Sequence, residues 1–92
     1  MTMVVRPFAA RLASAKRRAG LSDRELSIWF GTPLSTFQSW LRYGRKPQWY
    51  RREDVDRRLA ALERAIQRHD LPPPITVRQG ERHDYIHAHA PG

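Results

Sequence analysis

Three glycines divide the first half of this 92-residue chain into short segments with helical periodicity. Gly20, Gly31 and Gly44 each follow apolar residues spaced as on one face of a helix. Glycine is the residue that most often ends a helix in the left-handed conformation. Ser22 and Glu25 then form a capping-box pattern, which marks the start of a new helix. The first half of the chain is therefore predicted to form three short helices.

The apolar stripes of these helices predict the core. The first helix covers about residues 7–19, and the third covers residues 33–43. Thr32 is the predicted cap of the third helix, and Pro33 occupies its first position, where a missing N–H costs no hydrogen bond. The inward-facing residues are Phe8, Leu12, Ala15, Ala19, Leu26, Trp29, Phe30, Phe37, Trp40 and Leu41.

A longer helix is predicted over about residues 50–69. Its apolar residues form a narrow stripe with spacings typical of a coiled-coil seam. The stripe consists of Val55, Leu59, Leu62 and Ile66. The helix either completes the core of the short helices or pairs with a second copy of the chain. The two interpretations are compatible if Val55 packs in the core while Leu62 and Ile66 contact the second copy. Trp49 and Tyr50 are expected to bridge the third and the long helix.

The long helix is predicted to end at the three prolines of residues 72–74, because proline cannot continue a helix. Beyond them, Ile75 and Val77 alternate with polar residues, and Gly80 supplies a turn signal. Residues 71–92 are therefore expected to be extended or to form a weak hairpin. An isolated hairpin is barely stable, so this tail would need a partner surface.

The chain lacks the patterns of a catalytic, cofactor or membrane-spanning protein. It has no cysteine, hence no disulfide framework. It contains no phosphate-binding glycine motif and no nucleophile–base arrangement. His83, His87 and His89 lie in a Pro- and Gly-bounded segment without a fourth ligand, so no metal site is predicted. No apolar run approaches the ~20 residues of a membrane span. We expect a cytoplasmic protein that is not an enzyme and needs no cofactor.

Charge is distributed unevenly along the chain, whose formal net charge is +8. Residues 1–52 hold eleven Lys and Arg against two acidic residues. Residues 53–92 hold six against seven. Such an excess on one half is typical of a protein that binds a polyanion. Nucleic acid is the expected partner.

The segment that contains the three short helices resembles the Cro/C1-type (XRE-like) helix-turn-helix DNA-binding domain. The stretch in question is RLASAKRRAGLSDRELSIWFGTPLSTFQSWLRYGRKP. The resemblance covers about residues 8–47, roughly half the chain. It is carried by Arg11-Leu12, the approach from Ala19 to Ser22, Glu25-Leu26, Gly31, Thr36-Phe37 and Trp40.

Taken with the long helix and the tail predicted above from the apolar spacing and the prolines, the resemblance gives an all-α fold: a small helix-turn-helix bundle, then one long helix and a short extended tail. Residues 1–47 would form the DNA-binding domain. Residues 48–70 would complete the core, mediate dimerisation, or do both. Residues 71–92 would form the extended or weakly β tail.

In that family the third helix lies in the major groove of double-stranded DNA. The implied base-reading residues are Leu34, Ser35, Gln38, Ser39 and Arg42. Gln38 suits an adenine edge, and Arg42 would reach either guanine or a phosphate. The expected phosphate-binding residues are Arg17, Arg18, Thr32, Thr36, Arg45, Lys46 and Arg51.

The chain departs from the family at three points. Asp23 stands where the family often has a phosphate-contacting Gln. Trp29-Phe30 is bulkier than the usual aliphatic pair before the turn glycine. One long helix replaces two short ones, which puts the family's dimer interface in doubt.

The function expected from the sequence is that of a sequence-specific DNA-binding repressor or regulator. The expected oligomeric state is a dimer. One alternative keeps DNA but assembles a ring, as the small terminase subunits of tailed phages do during packaging. Another is an antitoxin-like module whose tail binds a partner protein. Stoichiometry separates the first alternative from the regulator, and deletion of residues 71–92 tests the second.

Overall fold

The computed structural model describes residues 8–91. This part of the chain is all-helical and contains five α-helices and no strand. The helices are α1 (Phe8–Ala19), α2 (Asp23–Phe30), α3 (Leu34–Tyr43), α4 (Arg52–Gln67) and α5 (Arg82–His89). Two short 3₁₀ turns, Trp49–Arg51 and Gln79–Glu81, precede α4 and α5. The all-α prediction is confirmed.

Helix α2 begins and ends as its sequence predicts. The Ser22 hydroxyl accepts a hydrogen bond from the Glu25 amide at 3.1 Å, and the Ser22 amide donates to the Glu25 carboxylate at 2.9 Å. Gly31 adopts φ +61°, a conformation that side-chain-bearing residues rarely reach. The Gly31 and Thr32 amides donate to carbonyls in the last turn of α2. Only residues 31–33 therefore connect α2 to α3.

The start of α3 differs from the prediction. Pro33 rather than Thr32 is the cap residue, and no side chain caps the helix. The Thr32 amide donates to Ser27 at 3.0 Å, so its backbone belongs to the end of α2. Its hydroxyl oxygen is buried and has no hydrogen-bond partner among the described residues.

The core is centred on aromatic side chains from α2 and α3. Phe30, Phe37 and Trp40 pack against one another with ring centroids 5.9–6.3 Å apart. Trp29 is fully buried, and its indole N–H donates to the Arg58 carbonyl of α4 at 2.9 Å. The buried indole is therefore satisfied by a backbone acceptor, as buried Trp usually requires.

The apolar stripe of α4 lies inside this core. Val55, Leu59 and Leu62 are fully buried and Ile66 is 8% exposed in a single copy of the chain. The interpretation that α4 completes the core is the one the structure bears out. None of the four is exposed for pairing with a second copy, so the oligomerisation surface predicted for them is not available in this fold.

The prediction of an extended or β tail is wrong. Residues 82–89 form α5, which packs against α2 and buries Ile86 completely. Leu71 is also buried at 1% exposure. Ile75, which contributed to the apparent alternation, is fully exposed. Two apolar residues were too few to distinguish a strand from an irregular segment.

Polar contacts fasten α5 to the remainder of the chain. The Arg82 guanidinium donates to both Glu25 carboxylate oxygens, at 2.6 and 3.0 Å, and to the Gly20 carbonyl at 3.0 Å. These hydrogen bonds from Arg82 hold the pKa of Glu25 below its ordinary value of 4.5. The Tyr85 hydroxyl donates to the Asp70 carbonyl at 2.6 Å. Burial, with the nearby charge of Asp70, raises the pKa of Tyr85.

Candidate nucleic-acid interface

The outward side of α3 is mostly polar. At about 100° per residue, the order around the helix is Leu34, Gln38, Arg42, Ser35, Ser39, Tyr43 and Thr36. Ser35, Arg42 and Tyr43 are exposed, and the others are half-buried. The inward residues Phe37 and Trp40 are 0% and 3% exposed, as predicted. Four of the predicted base-reading residues therefore lie opposite the core, and the fifth, Leu34, lies at the edge of the outward face.

Asp23 borders one flank of this face and contacts two of its side chains. The Gln38 amide and the Arg42 guanidinium both donate to the Asp23 carboxylate at 3.3 Å. Lys16 lies 3.5 Å from the other oxygen of the same carboxylate. Asp23 is the first residue of α2, and its side chain is only 18% exposed because it packs beside α3. Asp23 thus contacts the two longest polar side chains of the face.

A cleft of about 330 Å³ borders the other flank of α3. Gly44 ends α3 in the left-handed conformation, and the following loop lies beside the start of the helix. Five of the seven predicted phosphate-binding residues line the cleft, together with Ser39. These five are Thr32, Thr36, Arg45, Lys46 and Arg51.

The cations of the cleft differ in how their charge is used. Arg45 and Lys46 are exposed, and their side chains make no hydrogen bond or ion pair with any described residue. Arg51 is half-buried, donates to the Phe30 carbonyl at 3.1 Å and lies 3.6 Å from Asp54. Arg45 and Lys46 are therefore available to an anion, whereas Arg51 stabilises the end of α2.

The hydroxyl groups of the cleft are less open than predicted. The Ser39 hydroxyl donates to the Thr36 carbonyl at 2.7 Å, which leaves its oxygen able to accept. The Thr32 hydroxyl oxygen is buried beneath the surface. The phosphate contact predicted for the Thr32 side chain therefore does not fit its position.

Arg17 and Arg18 lie apart from the cleft. Both are exposed near the end of α1, and their side chains contact no charged partner in residues 8–91. Their neighbour Lys16 donates to the Leu21 carbonyl at 3.2 Å and pairs with Asp23. The end of α1 thus adjoins the flank of α3 that carries Gln38 and Arg42.

Two aromatic residues, of which Tyr50 lines the cleft, are exposed where the sequence predicted contacts between helices. Trp49 and Tyr50 were expected to bridge two helices, but they are 80% and 63% exposed. Their rings meet edge to face with centroids 5.8 Å apart, and Tyr50 lines the cleft. Their exposure could have been predicted from their position in the basic run of residues 44–52, which contains no helical apolar stripe.

The histidines of α5 are the remaining side chains from which the sequence raised a question of ligand binding. The rings of His83 and His87 lie 4.7 Å apart on α5, but no group of three or more His, Cys, Asp or Glu in residues 8–91 is arranged to hold a metal ion. None of the helices described is both long and apolar enough to cross a bilayer.

Comparisons with protein-family models, curated proteins and solved structures find no match to this chain.

Proposed function

We propose that the chain binds double-stranded DNA sequence-specifically, reads the major groove with α3 and acts as a transcriptional repressor or regulator. The observation that carries the proposal is the outward face of α3, which presents Ser35, Gln38 and Arg42 to one side of the unpaired cations Arg45 and Lys46. Hydrogen-bonding groups for bases and cations for phosphates thus occupy adjacent positions, as DNA readout requires.

The connection between α2 and α3 supports a helix-turn-helix unit of the Cro/C1 type. Only residues 31–33 separate the helices, and Gly31 makes the turn in the left-handed conformation. In such a unit the second helix enters the major groove with its N-terminal residues against the bases. Here that helix would be α3.

Base recognition would rest on side chains that are already oriented. Gln38 can pair with the N6 and N7 groups of adenine, and Arg42 can pair with guanine. Both are held by Asp23 at 3.3 Å in the free protein. Fewer rotamers are then frozen on binding, which reduces the entropic cost of recognition.

Phosphate binding would rest on Arg45 and Lys46 at the cleft and on Arg17 and Arg18 at the end of α1. All four are exposed. Each phosphate contact should add about one unit to the slope of log affinity against log salt. Affinity is therefore expected to fall steeply as the salt concentration rises.

A dimer remains part of the proposal, but its contact surface would differ from the α4 stripe, which is buried. Two-fold symmetry would place the half-sites about 10 bp apart or at a multiple of that spacing. A ring would instead favour the packaging alternative, and loss of partner capture on deletion of residues 71–92 would favour the protein-binding alternative.

The proposal is tested by in vitro selection of the full chain against random duplex DNA at near-physiological salt. An enriched motif is expected. Gln38→Ala should then relax preference at particular base pairs at a cost of about 1–3 kcal/mol. The double substitution Arg45→Ala and Lys46→Ala should weaken binding to all duplexes and flatten the salt slope by about two units.

Arg64→Ala is the matched control for the cation variants, because Arg64 is exposed on α4 and forms no side-chain contact within the described residues. It should leave selectivity unchanged and alter the salt slope less than either cleft cation. Failure to enrich any motif, with the variants folded, would overturn sequence-specific recognition and make the mass of the assembly the next measurement.

A further inference from the structure

The Trp49–Tyr50 pair is the largest aromatic surface that the described residues leave open. The other two tryptophans, Trp29 and Trp40, are 0% and 3% exposed. Single exposed apolar residues are common, but here two large exposed rings lie in contact and leave a larger aromatic surface open to a ligand. Their edge-to-face arrangement at 5.8 Å braces each ring against the other. This surface can receive a flat ligand without rearrangement of the core.

The same surface adjoins unpaired positive charge. Tyr50 lines the cleft that Arg45 and Lys46 also line, and neither cation has a side-chain partner among residues 8–91. Thr36 and Ser39 also line this cleft. The volume of about 330 Å³ is at the lower end of the range for small-ligand sites.

An exposed aromatic ring next to cations is complementary to one nucleotide of a nucleic acid strand. The phosphate would meet Arg45 and Lys46, and the base would stack on Tyr50. An acidic peptide would use the cations but leave the rings unoccupied. A second copy of this chain would bring the cations of both copies together, and such like-charge contacts are unfavourable. Bases inside a duplex keep their faces stacked on neighbouring bases, so an unpaired base is the better occupant.

We propose that this cleft binds single-stranded nucleic acid, with the phosphate held by Arg45 and Lys46 and an unpaired base stacked on the Tyr50 ring beside Trp49. The inference goes beyond the proposed function, because a single strand can occupy the cleft without any contact from Gln38 or Arg42. It adds a second binding mode, suited to a single-stranded end, loop or opened segment beside a duplex.

The test is titration of the full chain with a thymidine oligonucleotide of about eight nucleotides, within the usual range of about 4–16 for such sites. Because Trp29 and Trp40 are buried, the exposed Trp49 is the tryptophan most accessible to quenching by the oligonucleotide, and Trp49→Phe identifies its share of the signal. Saturable quenching that weakens with salt is expected. Tyr50→Ala should weaken binding by about 5- to 150-fold, the range typical for loss of one stacking ring. Tyr50→Phe, which keeps the ring, should restore it.

Tyr43→Ala is the matched control, since Tyr43 is 75% exposed at the end of α3 but does not line the cleft. It should bind the oligonucleotide as the unsubstituted chain does. Thermal unfolding followed by circular dichroism establishes that each variant keeps its fold. Equal losses for Tyr50→Ala and Tyr43→Ala would overturn the inference.

Three other results would also overturn it. An abasic oligonucleotide of equal length that binds equally well would show that the base is not recognised. A duplex that quenches Trp49 equally would show that unpaired bases are not preferred. Self-association that disappears in Trp49→Ala would identify the pair as an interface between copies. The two proposals fail separately: loss of motif enrichment with intact oligonucleotide binding removes only the duplex-reading function, and the reverse removes only this inference.

Discussion

The contact between α2 and α5 and the cleft beside α3 use positive side chains in opposite ways. At the first, the Arg82 guanidinium donates three hydrogen bonds, to Glu25 and to the Gly20 carbonyl, and its side chain is 23% exposed. At the second, Arg45 and Lys46 are exposed and have no side-chain partner in residues 8–91. One cation holds the fold together, whereas the other two are available to a ligand.

The formal net charge therefore overstates the number of cations that a binding partner can contact. Arg11 pairs with Glu63 at 2.6 Å, and Arg58 contacts both Asp54 and the Trp29 carbonyl. The exposed cations without a side-chain partner in the part of the chain described are Arg17, Arg18, Arg24, Arg45, Lys46, Arg64 and Arg78. Most of them belong to the first half, so the asymmetry read from the sequence persists after the paired arginines are set aside.

The largest effect on the free energy of unfolding is expected for Ile86, the fully buried residue of α5. Ile86→Ala should lower the free energy of unfolding by about 2–5 kcal/mol, because it removes transfer free energy and leaves a cavity. Denaturant-induced unfolding measures it. Ile75→Ala makes the same chemical change at a fully exposed position and should stay within about 0.5 kcal/mol. Equal effects would mean that α5 does not support α2.

A smaller effect is expected for Arg82→Ala, which removes charge-assisted hydrogen bonds at a partly buried site. The free energy of unfolding at neutral pH should fall by about 1.5–3 kcal/mol. Arg78→Ala is the control, because Arg78 is exposed and has no side-chain partner within residues 8–91. If both variants unfold at the same denaturant concentration, the hydrogen bonds of Arg82 contribute nothing to stability.

The stability that Arg82 supplies should also depend on pH. Its hydrogen bonds lower the pKa of Glu25 in the folded state below the ordinary 4.5. The contribution is therefore fully present above 4.5 and is lost as the pH falls through the lowered pKa. Thermal unfolding across this acidic range should show the difference between the unsubstituted chain and Arg82→Ala shrinking. A difference that stays constant would contradict the coupling to Glu25.

The smallest effect is expected at Asp23, beside the polar face of α3, and concerns affinity for DNA. Asp23→Asn removes the negative charge that holds Gln38 and Arg42, so affinity for all duplexes should rise by about 0.2–1 kcal/mol. Discrimination at the base pair that Arg42 reads should fall, because the guanidinium is no longer oriented. Asp84→Asn makes the same change at an exposed position on α5. Competition binding with selected and random duplexes distinguishes the two variants.

The first three helices could be predicted from the sequence because local signals determine their ends. The capping box at Ser22 and Glu25 and the left-handed glycines act within a few residues. Their apolar stripes correctly identified Phe37 and Trp40 as core residues. Since the core takes one side of α3, the opposite polar face also follows from the spacing.

Helix α5 could not be predicted in the same way. It buries a single residue, Ile86, and one apolar contact produces no helical periodicity. The end of α4 was also misjudged by two residues, because the chain turns at His69, which adopts φ +65°, before the prolines are reached.

The details of the candidate interface depend on tertiary contacts. Whether Trp49 and Tyr50 would be covered depended on where α4 begins and how the loop before it lies, and hydrophobic type alone does not decide that. The contact of Asp23 with Gln38 and Arg42 joins residues 15 and 19 positions apart. No local pattern encodes a pairing between side chains on two different helices.

The order of helix contacts bears on how the protein opens. Helix α1 packs on α4, and α2 packs on both α4 and α5, so early and late segments of the chain are interleaved. Release of α5 would expose α2, on which α3 packs, so local opening at the end of the chain is expected to reach the helix beside the polar face. Amide protons of α2 and α5 should thus exchange with solvent as one cooperative unit, and residues 8–47 without α4 and α5 are expected to be less stable than the full chain.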